Sequence, residues 1–245
     1  MEYDARQRER EISLRRDVYL PAAKAIARIQ ATLGLLTDIN ADQMAIGRRL
    51  AVKFGTLAKA HLVASESTVR ALMNYQTALM SAYLELLVLR GPLVLKKIAI
   101  ESHQKYIDRA DAGLQRIDQL MKQHNISGNA DQAAFERLVA QSKIEQNARK
   151  SHSDKQSALH KELALGQIAL TERMAELAVN TARLIPDALL SCRQELSLPI
   201  DPVEYRRLYE AQQEAARMIM SEAARRSRDL VAAADSISTD SNQPK

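Results

Sequence analysis

Turn-forming residues are scarce in this chain: seven glycines and six prolines are spread over 245 residues. β-rich and α/β folds place Gly, Pro, Asn and Asp at every reversal. Their scarcity excludes such folds and leaves few, long elements. Aromatics are scarce too, at 4%, with no tryptophan and with Phe54 and Phe135 the two phenylalanines. A thick globular core takes much of its volume from aromatics. A core of Leu, Ile, Ala and Met suits narrow seams between helices instead. One cysteine, Cys192, excludes an intramolecular disulfide and fits a reducing compartment. The opening MEYDARQRER is charged and has no apolar core, so it is not a secretory signal. The most apolar window, 77–95, contains Glu85, Arg90, Gly91 and Pro92. It therefore reads as a buried seam and not as a membrane span.

What is abundant is Ala, Leu, Arg, Gln and Glu, all strong helix formers. A first helix is expected over about 4–36, with Leu14, Val18, Ala22, Ile29, Leu33 and Leu36 on one face and a kink or break at Pro21. Asn40, with Gln43 three residues on, is the expected cap of a second helix reaching about Arg90, whose face begins Ile46, Leu50, Phe54, Leu57 and His61. Leu72, Leu79, Leu86, Leu93, Ile100, Ile107, Leu114 and Met121 then recur every seven residues, straight through Gly91-Pro92. A hairpin has no reason to keep that phase, so the pair is expected to kink one continuous helix. From position 41 to 124 such a helix would run about 125 Å.

The clearest turn is 125–129, with Asn129 or Asp131 capping a helix over about 130–184 that carries Leu163, Leu170, Leu177 and Leu184. Its 141–156 stretch is polar nearly all round, either overhang or a weakly packed layer. A short helix over 187–195 follows, and Asp201-Pro202 starts a last helix to about Val231. Short connections make neighbours antiparallel. The reading is all-α: an elongated antiparallel bundle of long amphipathic, coiled-coil-like helices. It forms one domain over 1–232, with a disordered polar tail over 233–245.

No motif with a mechanism is present. There is no GxxxxGK[ST], GxGxxG or HExxH, and no histidine has a Glu three residues before it, as a di-iron bundle needs. His61, His103 and His124 fall near the helix seams, where packing is the ordinary role and a pH-sensitive switch the sharper one. His152 and His160 could share a face, but no acidic pair frames them as ligands. Arg193 could lower the pKa of Cys192, yet a structural thiol is the expected role. No catalytic residue, cofactor, metal or small-molecule substrate is expected, and the chain is not read as an enzyme.

Surface remains. No acid occurs between Asp42 and Glu66, while Arg48, Arg49, Lys53 and Lys59 do. These four are the candidate contacts for an anionic surface, lipid or protein. Arg217, Arg225, Arg226 and Arg228 complement the dipole at the expected end of the last helix. Nucleic acid is not expected, because neither stretch offers stacking platforms; the run Tyr205-Arg206-Arg207-Leu208-Tyr209 reads as helix packing. The segment RQREREISLRRDVYLPAA over 6–23 resembles the charged helix that follows an inner-membrane span in many bacterial proteins. At the level of architecture the long helices resemble BAR-type membrane-curving rods, phasins and α-helical pore-forming toxins. That likeness does not carry function; the toxin resemblance would make 83–100 a hidden inserting segment. The expectation is a cytoplasmic scaffold, with the inner face of a membrane as one location. It self-associates and binds a protein or an anionic membrane surface. A membrane-remodelling or pore-forming effector is the alternative.

Overall fold

The computed structural model describes residues 2–126, 131–198 and 201–240. Among them all regular structure is helical: α1 (Glu2–Gly34), a 3₁₀ turn (Leu35–Thr37), α2 (Gln43–Ala60), α3 (Glu66–Ile126), α4 (Gln132–Ala182), α5 (Ile185–Glu195) and α6 (Pro202–Asp240). The chain is an all-α helical bundle. It divides into two compact units, one of Met1–Gly91 with Gln167–Lys245 and one of Pro92–Gly166.

α1 runs unbroken through Pro21. Its buried face is Tyr19, Ala22, Ile26, Ile29 and Leu33, at steps of three and four, with Leu36 following in the 3₁₀ turn. Leu14, expected on that face, is exposed, so the packed face starts at Tyr19. The cap of α2 is Asp42 and not Asn40: its carboxylate accepts from the amides of Met44 and Ala45, while Asn40 donates its own amide to Asp38. Tyr75 of α3 donates to the carbonyl of Ile26 of α1, and Gln30 of α1 reaches Ala178 and Thr181 of α4. These contacts gather α1, α2, the start of α3 and the end of α4 around one core.

The expected helix from 40 to 90 is two helices. α2 stops at Ala60, and α3 starts at Glu66 after a turn. Two N–H groups, of His61 and Leu62, bond back to Ala58 and Lys59, closing α2. Beyond the break α3 is one helix from Glu66 to Ile126 with Pro92 inside it, the continuity that the heptad phase predicts. Proline leaves the carbonyl four residues earlier without its donor. That residue is Val88, which is exposed to solvent.

In the Pro92–Gly166 unit α4 packs antiparallel to α3. As α3 rises through Lys96, Gln104 and Asp111, its partners on α4 fall through Glu162, Gln156 and Arg149. Asp131 caps α4, accepting from the amide of Ala134; the turn residues 127–130 lie outside the described residues. The polar 141–156 stretch is thus a packed layer, but a thin one, with no fully buried residue.

Asp201 caps α6, accepting from Val203 and Glu204. α6 continues to Asp240, beyond the end expected near Val231; 241–245 lie outside the described residues. Arg217, Arg225 and Arg226 therefore sit inside the helix and pair with Glu214 and Glu222, while Arg228 pairs with Glu172 of α4.

Candidate functional site

α2 carries the four basic candidates. At about 100° per residue, Ile46, Leu50, Leu57 and Ala60 share one side of the helix, and all four are buried. Met44, Arg48, Val52 and Lys59 project within an arc of about 80° on the opposite side, and all are exposed, Met44 at 71% and Val52 at 72%. The four cations therefore do not form one patch. Arg48 and Lys59 share the outer face with two apolar side chains, about 16 Å apart along the axis. Arg49 is exposed on a flank, and Lys53 is half-buried toward the core side. Among the described residues no carboxylate forms an ion pair with any of the four.

The turn that leads into α2 is held by an arginine reaching over from α3. Arg90 of α3 is 3% exposed. One terminal nitrogen donates to the carbonyls of Asp38, Ile39 and Ala41 at 3.1, 3.2 and 2.6 Å, and the other to Gln43 Oε1 at 3.2 Å. A planar guanidinium spreads its five N–H donors over a wide fork, so one side chain reaches both the carbonyls of the turn and the Gln43 amide oxygen. Arg90→Met should lower stability by about 2 kcal/mol by leaving those carbonyls without a donor. Urea unfolding checks this, and a wild-type midpoint would show that water serves the turn equally well.

A second polar cluster sits at the α2–α3 break. Glu195, at the end of α5, accepts from Tyr19 Oη at 2.6 Å, Ser65 Oγ at 2.6 Å and the Ser65 amide at 2.9 Å, with Arg15 at 3.7 Å. Burial alone would push its carboxyl up. The hydrogen bonds from Ser65, Thr68 and Tyr19 outweigh burial and hold it below the usual carboxylate range. The phenol of Tyr19 is pushed up, first by burial and then by this carboxylate. Cys192 lies near the same charge; burial and then Glu195 push its thiol up to about 12. A nucleophile needs the opposite shift, so Arg193 does not activate this cysteine.

Of the histidines, His61 closes α2, and its Nε2 is buried without a hydrogen-bond partner. His160 is exposed and does not join His152, which instead faces His103. Among the described residues no group of three or more His, Cys, Asp or Glu is placed to hold a metal ion. Tyr205 and Tyr209 stack on one another, half-buried.

On its outer side α3 presents Met73, Met80, Leu84 and Val88 to solvent. An 18-residue window of this helix averages a mean hydropathy of 1.6, and 28% of it is buried. No protein-family model, curated protein or solved structure matches the chain.

Proposed function

We propose that this chain is a non-enzymatic helical scaffold that docks on an anionic membrane surface through the outer face of α2. The observation that carries the reading is the composition of that face: Arg48 and Lys59, free of ion pairs, interleaved with exposed Met44 and Val52. Cations near an anionic leaflet contribute about 1 kcal/mol each, and apolar side chains between them enter the headgroup layer. Basic residues answered by neighbouring carboxylates, as on α6, would not have this free charge. The exposed Met73, Met80, Leu84 and Val88 of α3 support self-association, since a second helix would cover them.

Flotation with anionic and neutral liposomes across a salt series tests the reading. Binding is expected to anionic liposomes only, to fade as salt rises, and to weaken at least about tenfold in Arg48→Glu/Lys59→Glu. No binding at low salt would discard the lipid surface and leave a protein partner. A second reading, a membrane-remodelling or pore-forming effector, is favoured by the apolar and largely uncovered window of α3. It requires leakage or deformation of the same vesicles; intact spherical vesicles with bound protein would leave docking alone.

A further inference from the structure

Inside the Pro92–Gly166 unit, two imidazoles face each other. His103 of α3 and His152 of α4 bring their Nδ1 atoms to 2.8 Å, with ring centroids 5.1 Å apart. Both rings are half-buried. A contact this short between ring nitrogens is a hydrogen bond, with a proton on one Nδ1 and a lone pair on the other. It exists only while at least one imidazole is neutral. A second proton removes the acceptor and sets two cations against each other. Two nitrogens also fall short of the three or four protein ligands of a zinc centre, so a shared metal does not account for the pair.

Among the described residues no carboxylate stands at the pair to answer that second charge. From α3, Tyr106 stacks on His152 with centroids 4.6 Å apart, and the Arg109 guanidinium lies 5.9 Å from the Tyr106 centroid, adding a cation on that side. The acids of α3 on either side are engaged elsewhere: Glu101 with Lys97, Asp108 with Gln104, and Asp111 with Arg149 of α4. From α4 the next turn presents neutral Gln156, which donates to Gln104 and to the carbonyl of Ile100. Asp154 and Lys155 of α4 are exposed, and among the described residues no carboxylate contacts either ring.

We propose that His103 and His152 form a pH-responsive latch, holding α4 against α3 within this unit at neutral pH and releasing it when both rings are protonated. The layer it closes is thin enough for this to matter. Along 141–156 α4 buries no residue completely, and the neighbouring bridges, Arg149 to Asp111 and Lys96 to Glu162, are at least partly open to solvent. Release uncovers Ile100, Ile107, Ala110 and Ile117, the buried seam of α3 in this unit. The sign follows from proton counting. The open form binds two protons with ease and the latched form one, so acid favours opening.

Hydrogen–deuterium exchange of the full chain at pH 7.5 and 5.0, corrected for intrinsic exchange, reads the latch directly. Protection over 98–117 and 145–160 is expected to fall at least about tenfold at the lower pH, well beyond any change over 68–88. In His103→Gln/His152→Gln, which keeps neutral hydrogen-bonding groups at both places, the acid-dependent loss is expected to vanish. An unchanged wild type, or the same loss in the double variant, overturns the proposal. Should the double variant not fold at pH 7.5, the imidazole proton resonances of the wild type decide: two separated steps are expected for a coupled pair, and one ordinary shared step overturns it.

Discussion

Leu79→Asp is expected to unfold the Met1–Gly91 and Gln167–Lys245 unit, or to lower its stability by about 4 kcal/mol or more, because a carboxylate would replace a side chain with no solvent contact. The same change at Ile107 should cost less. Burial along the seven-residue repeat is complete at Leu72, Leu79 and Leu86, slips to 8% exposure at Ile100 and Ile107, and ends with Leu114 half-exposed. An aspartate at the thinner end can turn toward water. Thermal melting of Leu79→Asp and Ile107→Asp beside the wild type checks both effect and order. A wild-type melt for Ile107→Asp would mean that α3 keeps no functional seam in the Pro92–Gly166 unit, and a reversed order would contradict the burial gradient.

Glu195→Ala should be nearly as damaging, at about 3 kcal/mol, for a different reason. It strips the buried hydroxyl of Tyr19, and both donors of Ser65, of their shared acceptor where α1, the α2–α3 break and α5 meet. Glu195→Gln keeps the shape and one acceptor oxygen but loses the charge, so about half that loss is expected. The pH dependence has a fixed sign. The folded carboxyl titrates below its unfolded value of 4.5, so its contribution is complete above that value. It is lost as pH falls through the depressed folded value. Chemical unfolding between pH 3 and 7 should show an acid slope in the wild type that is shallower in Glu195→Gln. Equal slopes would assign the acid sensitivity to other carboxylates.

Much of this architecture is legible in the sequence, because helix periodicity and caps are local properties. The phase from Leu72 to Ile107 carries through Gly91-Pro92, and Asp131 and Asp201 cap the helices they precede. The break between α2 and α3 escapes the same logic, since 61–65 contains neither Gly nor Pro. Two signals mark it nonetheless. The run Ser65-Glu66-Ser67 is rich in helix-start residues. Projecting Leu50 and Leu57 by sevens also lands on Ala64, Ala71 and Ala78, one residue out of step with Leu72 and Leu79. A single helix cannot bury both sets without rotating between them. Arg90, Glu195 and the His103–His152 pair were not legible as partners. Each joins residues about 49 to 176 positions apart, and no spacing rule reaches across elements. The basic run of α2 was legible as a run, but only the helix geometry separates Arg48 and Lys59 from Arg49 and the half-buried Lys53.

The Arg90 clamp also bears on how the molecule responds to ionic strength. Its guanidinium is sealed from solvent and is answered by peptide carbonyls, which are dipoles, not by a carboxylate. Dissolved ions screen exposed charge pairs over a distance of roughly 10 Å at 0.1 M, but they do not enter a dry, dipolar contact. The approach to α2 should therefore survive brine that would dissolve a fold pinned by surface bridges. A salt series then acts as a selective solvent: it washes counter-charges off Arg48 and Lys59 while leaving the platform that presents them standing.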